Sequence, residues 1–132
     1  LIKNLESWCQ QLLADGGIST LPVQVFGTGG NVRRMGKLRK NVLKQKNKNI
    51  ITQNEIAQLY QLLLPLSVAD RIQKFGFKKD RAEVIVHALR IFFTIVTQCK
   101  VEQIILTEVG LADGLLLSLN QLPQAGIKIC QF

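Results

Sequence analysis

Residues 23–34 read VQVFGTGGNVRR, which places Gly27, Gly29 and Gly30 between an apolar run and a basic run. The apolar half predicts a short buried strand, and the half from Asn31 onward predicts the first turn of a helix. Glycine lets the backbone adopt a positive φ and lets a ligand approach the main chain without a Cβ in the way. A strand, a glycine turn and a helix in this order are typical of an α/β fold.

The start of this predicted helix is a candidate anion site. Its first N–H groups have no partner inside the helix and carry a partial positive charge, which favours phosphate. Arg33 and Arg34 add guanidinium donors suited to phosphate oxygens. Because adjacent residues do not share a helix face, we expect at most one of them, Arg33, to reach a ligand. A tight turn that binds no ligand remains the alternative interpretation of the glycines.

The composition bounds the class of protein and of partner. The chain has 132 residues, enough for one domain at most, and a net charge of +8 that favours polyanionic partners. Its three cysteines lack CxxC spacing, which predicts reduced thiols in a cytoplasmic protein and neither a disulfide framework nor a zinc site. No apolar run is long enough to span a bilayer. Aromatic residues are few and no basic-aromatic motif is present, so nucleic acid is not the expected partner.

Periodicity and capping signals predict six helices and two strands. The helices cover residues 2–13, 31–38, 53–64, 68–74, 81–99 and 110–119, and the strands cover residues 21–26 and 103–106. Residues 127–130 form either a terminal strand or a tail, and residues 45–49 have the composition of a solvated loop. Parallel strands joined by helical crossovers are expected, but two strands are too few for such a sheet. We therefore expect further strands to precede Leu1.

Several acidic residues stand where helices are predicted to begin, and capping of those helices explains their positions. Thr52 with Glu55 matches a capping box, and Ser67 with Asp70 matches a second one. Asp80 is expected to cap the long helix. Asp70 and Asp113 are interpreted as helix-start residues and not as catalytic acids.

Three basic features have two interpretations each. The basic run at residues 37–48 contains no acid and is interpreted as a solvated face, with binding of long polyphosphate as the alternative. Arg81 is expected to pair with Asp70 or Glu108, or else to contact phosphate. His87 lies on the apolar long helix and is expected to be a hydrogen-bonded core or interface residue, not a metal ligand.

Four segments in order resemble one protein family. They are FGTGGNVR at residues 26–33, LSVADR at residues 66–71 with Gly76 following, KDRAEVIV at residues 79–86 and VGLADGLL at residues 109–116. This order resembles the C-terminal part of the exopolyphosphatase / guanosine pentaphosphate phosphohydrolase (Ppx/GppA) family, over most of the chain. The glycine turn alone is a weak signal, whereas the four segments together are specific.

The resemblance implies a helix-rich lobe of the two-lobed actin-like, ribonuclease-H-like fold with a few parallel strands. Residues 1–132 would be a single partial domain, the later part of the second lobe. The family hydrolyses terminal phosphoanhydride bonds of inorganic polyphosphate or guanosine pentaphosphate with Mg²⁺. The residues expected to line its phosphate cleft here are Gly27, Thr28, Gly29, Gly30, Asn31 and Arg33. The catalytic carboxylate and the metal ligands are expected outside this chain, so that this piece alone would be inactive.

The expected protein partner is the N-terminal lobe of the same enzyme, and an open sheet edge leaves a homodimer as a further option. Two other functions remain open on the sequence. One is a polyanion-binding module without catalysis, built from the same turn and the lysine run. The other is a fragment of an actin-like sugar or acetate kinase.

Overall fold

The structure, a computed structural model, describes residues 2–15, 23–47 and 49–121. Within these residues the chain forms six helices and three short strands. The helices are α1 (Ile2–Asp15), α2 (Gly30–Val42), α3 (Gln53–Leu63), α4 (Val68–Phe75), α5 (Lys79–Gln98) and α6 (Leu111–Gln121). The strands are β1 (Val25–Gly27), β2 (Ile50–Thr52) and β3 (Gln103–Leu106). No helix in these ranges combines the length and the apolar character that crossing a membrane requires.

The three strands form one mixed sheet in the order β1-β3-β2. β1 runs parallel to β3, with Val25 opposite Ile104 and Gly27 opposite Leu106, as the helical crossover between them predicts. This parallel pair and the helix-rich α/β class are confirmed.

β2 corrects the sequence interpretation. Residues 50–52 were not expected to form a strand, yet they pair antiparallel with β3, with Ile51 opposite Ile104. The third strand of the described sheet therefore comes from within the chain. Three residues are too short for an alternating pattern to be recognised, and the strand is defined by its pairing with β3. Residues 127–130 lie outside the described residues, and so do residues 21–22, the start of the strand predicted at residues 21–26. Within the described part of that prediction, β1 begins at Val25.

Both predicted capping boxes are present. The Thr52 hydroxyl accepts from the Glu55 N–H at the start of α3, and the Ser67 hydroxyl accepts from the Asp70 N–H at the start of α4. α4 ends at Gly76, whose φ of 62° is the left-handed conformation that closes a helix. Capping chemistry therefore sets the boundaries of α3 and α4.

Arg71, one residue after the second box, ties three helices together. Its Nε donates to the Leu63 carbonyl at 3.2 Å, and its Nη1 donates to the Ala82 carbonyl at 2.9 Å. Leu63 ends α3 and Ala82 lies in the first turn of α5, so the guanidinium joins the ends of two helices that α4 separates. The acid–arginine pair at residues 70–71 is structural: Asp70 caps α4 while Arg71 holds its neighbours.

The long helix α5 differs from expectation at two points. Lys78 stands at its N-cap and makes no side-chain capping bond, while Asp80 lies in the first turn, where a negative charge favours the helix dipole. Asp80 is therefore not the cap. His87 is exposed, because α5 buries residues such as Ile85 and Leu89 on one side and leaves the intervening position to solvent. His87 is therefore not a core residue. An interface position, the other half of that prediction, stays a prediction.

A buried ion pair joins α2 to α3. Arg39 Nε lies 2.7 Å from Glu55 Oε2, and both side chains are about nine-tenths buried. The same Oε2 accepts from the Thr52 N–H at 2.9 Å, and Arg39 Nη1 donates to the Asn47 carbonyl. Arg39 was predicted to belong to a solvated basic run, and its burial corrects that prediction. Arg39 faces inward because α2 turns it to the side that carries the buried Met35 and Leu38.

The ion pair controls the titration of Glu55. Burial by itself would raise the pKa of this carboxyl, but the hydrogen bonds from Arg39 and Thr52 and the Arg39 charge together hold its pKa below the ordinary value. A carboxyl with a lowered pKa in the folded state stabilises the fold above its unfolded pKa, and this contribution is lost as the pH falls through the folded value.

We predict that Glu55→Gln lowers the free energy of unfolding by about 3 kcal/mol at neutral pH, because it leaves the buried Arg39 charge without its partner. The difference in the free energy of unfolding between the variant and the parent chain should stay constant above the ordinary carboxyl pKa of 4.5. It should shrink below that pH, where Glu55 of the parent chain becomes protonated. Urea unfolding across a pH series measures both effects. Glu102→Gln, on an exposed residue, is the matched control, and a pH-independent difference for Glu55→Gln contradicts this account.

Candidate functional site

The glycine turn begins with a buried residue, Gly27, and continues with an exposed one, Thr28. Gly27 is buried, and its carbonyl accepts from the Thr107 N–H at 2.9 Å and from the Thr107 hydroxyl at 3.1 Å. A Cβ on Gly27 would lie 3.0 Å from a methyl of Val32 and 3.1 Å from a methyl of Ile104. Gly27 therefore allows α2 to pack closely against the sheet. Thr28, the next residue, is exposed.

Gly29 makes the turn into α2. Its φ of 92° and ψ of −175° lie in a region that essentially only glycine occupies. As the N-cap residue it offers no side chain to the first N–H groups of the helix, and no acidic residue lies in the first turn. Its carbonyl accepts from the Arg33 N–H at 3.1 Å, which starts the helical bonding. Among the described residues, no side-chain cap and no acidic residue of the first turn compensates the positive end of α2.

Four cations gather at this helix end. A cavity of about 230 Å³ is lined by Gly30, Arg33, Arg34, Lys37 and Arg81, with no acidic residue among them. A Cβ on Gly30 would lie 3.6 Å from Arg81 Nη1, so the guanidinium rests directly against the glycine backbone. Guanidinium and ammonium groups around a helix N-terminus form a receptor for phosphate oxygens.

Arg81 does not pair as expected. It contacts neither Asp70 nor Glu108, and its Nε lies 3.3 Å from the neighbouring carboxylate of Asp80. Both side chains of that pair are substantially exposed, so the pair is weak and screened by solvent. The terminal nitrogens of Arg81 face Gly30 and the cavity. The alternative prediction for Arg81, contact with phosphate, is therefore the one that its position favours.

Both arginines of the turn line the cavity. Whether one or both of them contact a ligand stays a prediction. Arg33 and Arg34 stand three and four residues after Gly30, and Lys37 stands seven after it, so all of them lie on the side of α2 that borders the cavity. Arg34 also lies over the ring of Phe77, with its guanidinium carbon 5.5 Å from the ring centroid, and this cation–π contact fixes its direction. Arg33 is exposed and carries no such restraint.

Asn31 stands apart from the cavity lining. Its Oδ1 atom is buried and has no hydrogen-bond partner within the described structure. An orphaned acceptor of this kind costs free energy unless a donor reaches it. Asn31 therefore offers a hydrogen-bond acceptor, its Oδ1 atom, and no positive charge for a phosphate.

Asp70 and Asp113 do not contribute to this site. Asp70 Oδ2 accepts from the Ser67 hydroxyl at 2.7 Å, and these bonds from Ser67 lower the pKa of Asp70. Asp113 Oδ2 accepts from the Gly110 N–H at 2.6 Å at the start of α6. Among residues 2–15, 23–47 and 49–121, no three His, Cys, Asp or Glu side chains come together as metal ligands. A site lined by four cations does not fit Mg²⁺, and no step through a metal is derived for these residues.

Three of the lining residues, Arg34, Lys37 and Arg81, were not among the residues expected to line the cleft, although phosphate contact was the alternative prediction for Arg81. Lys37 stands four residues after Arg33, so helical spacing places both on one face and provides a signal that identifies it. Arg34 stands four residues after Gly30, which places it on the same side of α2. Arg81 comes from a different helix, and only the packing of α5 against α2 brings it there.

Comparisons with known proteins point to one family. The model of the Ppx/GppA phosphatase family matches residues 2–122. No curated protein matches the chain significantly. A crystal structure of the type II variant of the Aquifex aeolicus Ppx/GppA phosphatase superposes with a TM-score of 0.71 at 22% identity, covering 89% of this chain and 39% of that one. A second crystal structure of the Aquifex aeolicus family member gives 0.69 at 20% identity, covering 90% and 40%. The chain thus spans about two fifths of these structures and shares their actin-like fold.

We predict that Gly29→Ala lowers the free energy of unfolding by about 1–3 kcal/mol, since alanine adopts this backbone conformation only under strain. No atom lies within 4 Å of the added methyl, so the loss reports conformation and not a clash. Gly30→Ala is the matched control: its methyl meets only ordinary contacts and lies in a helix, so stability should stay unchanged or rise by up to about 1 kcal/mol. Chemical denaturation measures both, and equal effects of the two substitutions would contradict the assignment.

Proposed function

The chain belongs to the Ppx/GppA phosphatase family, and we propose that it forms the phosphate-binding surface of a phosphoanhydride hydrolase. The substrate of the whole enzyme would be inorganic polyphosphate or guanosine pentaphosphate, cleaved at a terminal phosphoanhydride bond. The proposal includes a cytoplasmic location and a first lobe that closes the cleft. The family match favours this hydrolase over the kinase alternative.

The observation that carries the proposal is the cavity at the N-terminus of α2. Arg33, Arg34, Lys37 and Arg81 surround Gly30, and the first N–H groups of α2 point toward the same end of the helix. The cavity also lies where β1 ends, and ligands of α/β sheets commonly bind beyond the carboxyl ends of parallel strands. A ligand with several negative oxygens matches this surface in charge and in geometry.

The chemistry divides between this chain and the rest of the enzyme. Hydrolysis of a phosphoanhydride needs a positioned water, positive charge on the transferred oxygens and an in-line arrangement of attacking and leaving groups. The four cations supply charge and orientation, and the pair of guanidinium groups at Arg33 and Arg81 suits bidentate contacts. The activated water, its general base and the Mg²⁺ ligands belong to the first lobe in this proposal. This piece by itself would bind phosphate without releasing it.

A polyanion-binding module without catalysis is the second candidate. The net charge of +8 and the acid-free lining of the cavity support it as well as they support the hydrolase. The two functions differ in what the complete natural polypeptide does: the hydrolase releases phosphate, and the module only binds.

We predict that Arg81→Gln, introduced into the complete natural polypeptide, lowers kcat/KM for polyphosphate about tenfold or more. The reason is that a charge-assisted hydrogen bond to the substrate is lost. Phosphate release measures it. Arg90→Gln, which removes the same charge nine residues further along α5 and outside this cavity, should leave kcat/KM unchanged. Unchanged turnover in Arg81→Gln contradicts the role of the cavity, and absence of phosphate release from the unmodified polypeptide favours the binding module.

A further inference from the structure

Two cysteine thiols meet where α1 packs against the end of α5. Cys9 is 1% exposed and is the one buried residue among the described residues of α1. Cys99 stands at the C-cap of α5 and is half-buried. The two thiols lie within hydrogen-bonding reach of each other, and both are free. Helix packing therefore brings together two sulfur atoms that lie far apart in the sequence.

Two further contacts fix how α1 and α5 lie side by side. Near the start of α1, Lys3 and Arg90 line a common cavity of about 510 Å³. Further along, Gln10 Nε2 donates to Gln98 Oε1 at 3.4 Å. The residue numbers increase together on both helices, so the helices run parallel. Because each helix rises by about 1.5 Å per residue, this register places the ninth residue of the chain beside the last turn of α5.

The helix α1 is held to the rest of the fold at few points. It contains 14 residues, yet Trp8 and Leu12 are 55% and 48% exposed. Cys9 is the position at which α1 enters the packed interior. A covalent bond at Cys9 would therefore fasten the helix at its one buried point.

We propose that Cys9 and Cys99 form a reversible disulfide site, at which a small disulfide such as oxidised glutathione converts the two thiols into a bond that locks α1 to α5. The inference does not rest on the phosphate cavity or on the proposed hydrolase. It rests on the contact between the thiols and on the parallel packing that holds them together.

The exposures of the two thiols set the order of the steps. The more accessible thiol, Cys99, loses its proton, and its sulfur attacks one sulfur of oxidised glutathione. A mixed disulfide forms, and one glutathione thiolate leaves and takes up a proton. Cys9 then loses its proton and attacks the Cys99 sulfur, which forms the Cys9–Cys99 bond and releases the second glutathione. Two protein thiols are oxidised, and one glutathione disulfide is reduced to two thiols.

The surroundings make the first step slow and the second step fast. Burial, together with the neighbouring Cys9, raises the pKa of the Cys99 thiol, so little thiolate is present at neutral pH. The second step needs no further encounter, because the two sulfur atoms already lie together. The bond also closes a long loop of the chain, and the entropy that the unfolded chain loses favours it. The site therefore responds to a sustained excess of oxidised glutathione.

The test incubates the complete natural polypeptide with excess oxidised glutathione for several hours, alkylates the remaining thiols and identifies linked peptides by mass spectrometry without reduction. We expect the main product to be a disulfide between Cys9 and Cys99 that dithiothreitol reverses. Cys130 lies outside the described residues, so Cys130→Ser is the matched control and should leave this product unchanged. Free thiols at both positions after oxidation, or a main product that contains Cys130, would overturn the inference.

Two single variants test the order of the steps. In Cys9→Ser no second thiol can displace glutathione, so glutathione should accumulate on Cys99. In Cys99→Ser, Cys9 should gain about tenfold less glutathione in the same time, because a buried thiol is hard to reach. Equal modification in the two variants overturns the proposed order. If serine at the buried position unfolds the chain, as circular dichroism would show, Cys9→Ala takes its place.

Amide hydrogen exchange tests the lock itself. In the oxidised polypeptide, the amides of α1 should exchange about tenfold or more slowly than in the reduced polypeptide, while those of α3 stay unchanged. If the disulfide forms and the exchange of α1 does not change, the bond does not hold the helix and the lock is wrong.

Discussion

A positive φ at Gly29 is the constraint on which the rest of the site depends. It turns the chain from β1 into α2 within two residues and leaves the helix start without a capping side chain. A serine or aspartate at that position would satisfy one of the first N–H groups, and an aspartate would also place a negative charge beside the arginines. Glycine leaves those donors to an incoming anion. The close packing at Gly27 then fixes the direction in which the helix end points, because Val32 and Ile104 leave no space for a side chain.

The helix α2 divides its basic residues between two tasks. Arg39 turns inward and pairs with Glu55, which links α2 to α3 and to the N-cap of that helix at Thr52. Arg33, Arg34 and Lys37 line the cavity next to the N-terminus of α2. The buried pair holds the helix in place, so that the exposed charges keep a fixed spacing. A single amphipathic helix therefore carries both the buried ion pair that supports the fold and the cations of the proposed phosphate site.

Local chemistry explains what could be predicted from the sequence. The glycine turn, both capping boxes and the parallel strands are readable because each depends on residues close in the chain or on a regular period. The strand at residues 50–52, the inward position of Arg39 and the exposure of His87 were not predicted, since each depends on a partner far away in sequence. For the site, the turn itself was identified, whereas Arg81 required the packing of α5. Whether Gly27 and Asn31 contact a ligand stays a prediction. The position of Gly27, against Val32 and Ile104, gives it a packing role.

The central claim is that phosphate binds at the N-terminus of α2. The most direct measurement follows backbone amide and arginine side-chain NMR signals of the 132-residue chain while pyrophosphate is added. The account predicts that the largest shifts occur at the amides of Gly30 and Asn31 and at the guanidinium groups of Arg33 and Arg81, with saturation at a common ligand concentration. Shifts centred instead on the exposed cations of α1 and the middle of α5, with residues 29–33 unchanged, would contradict it.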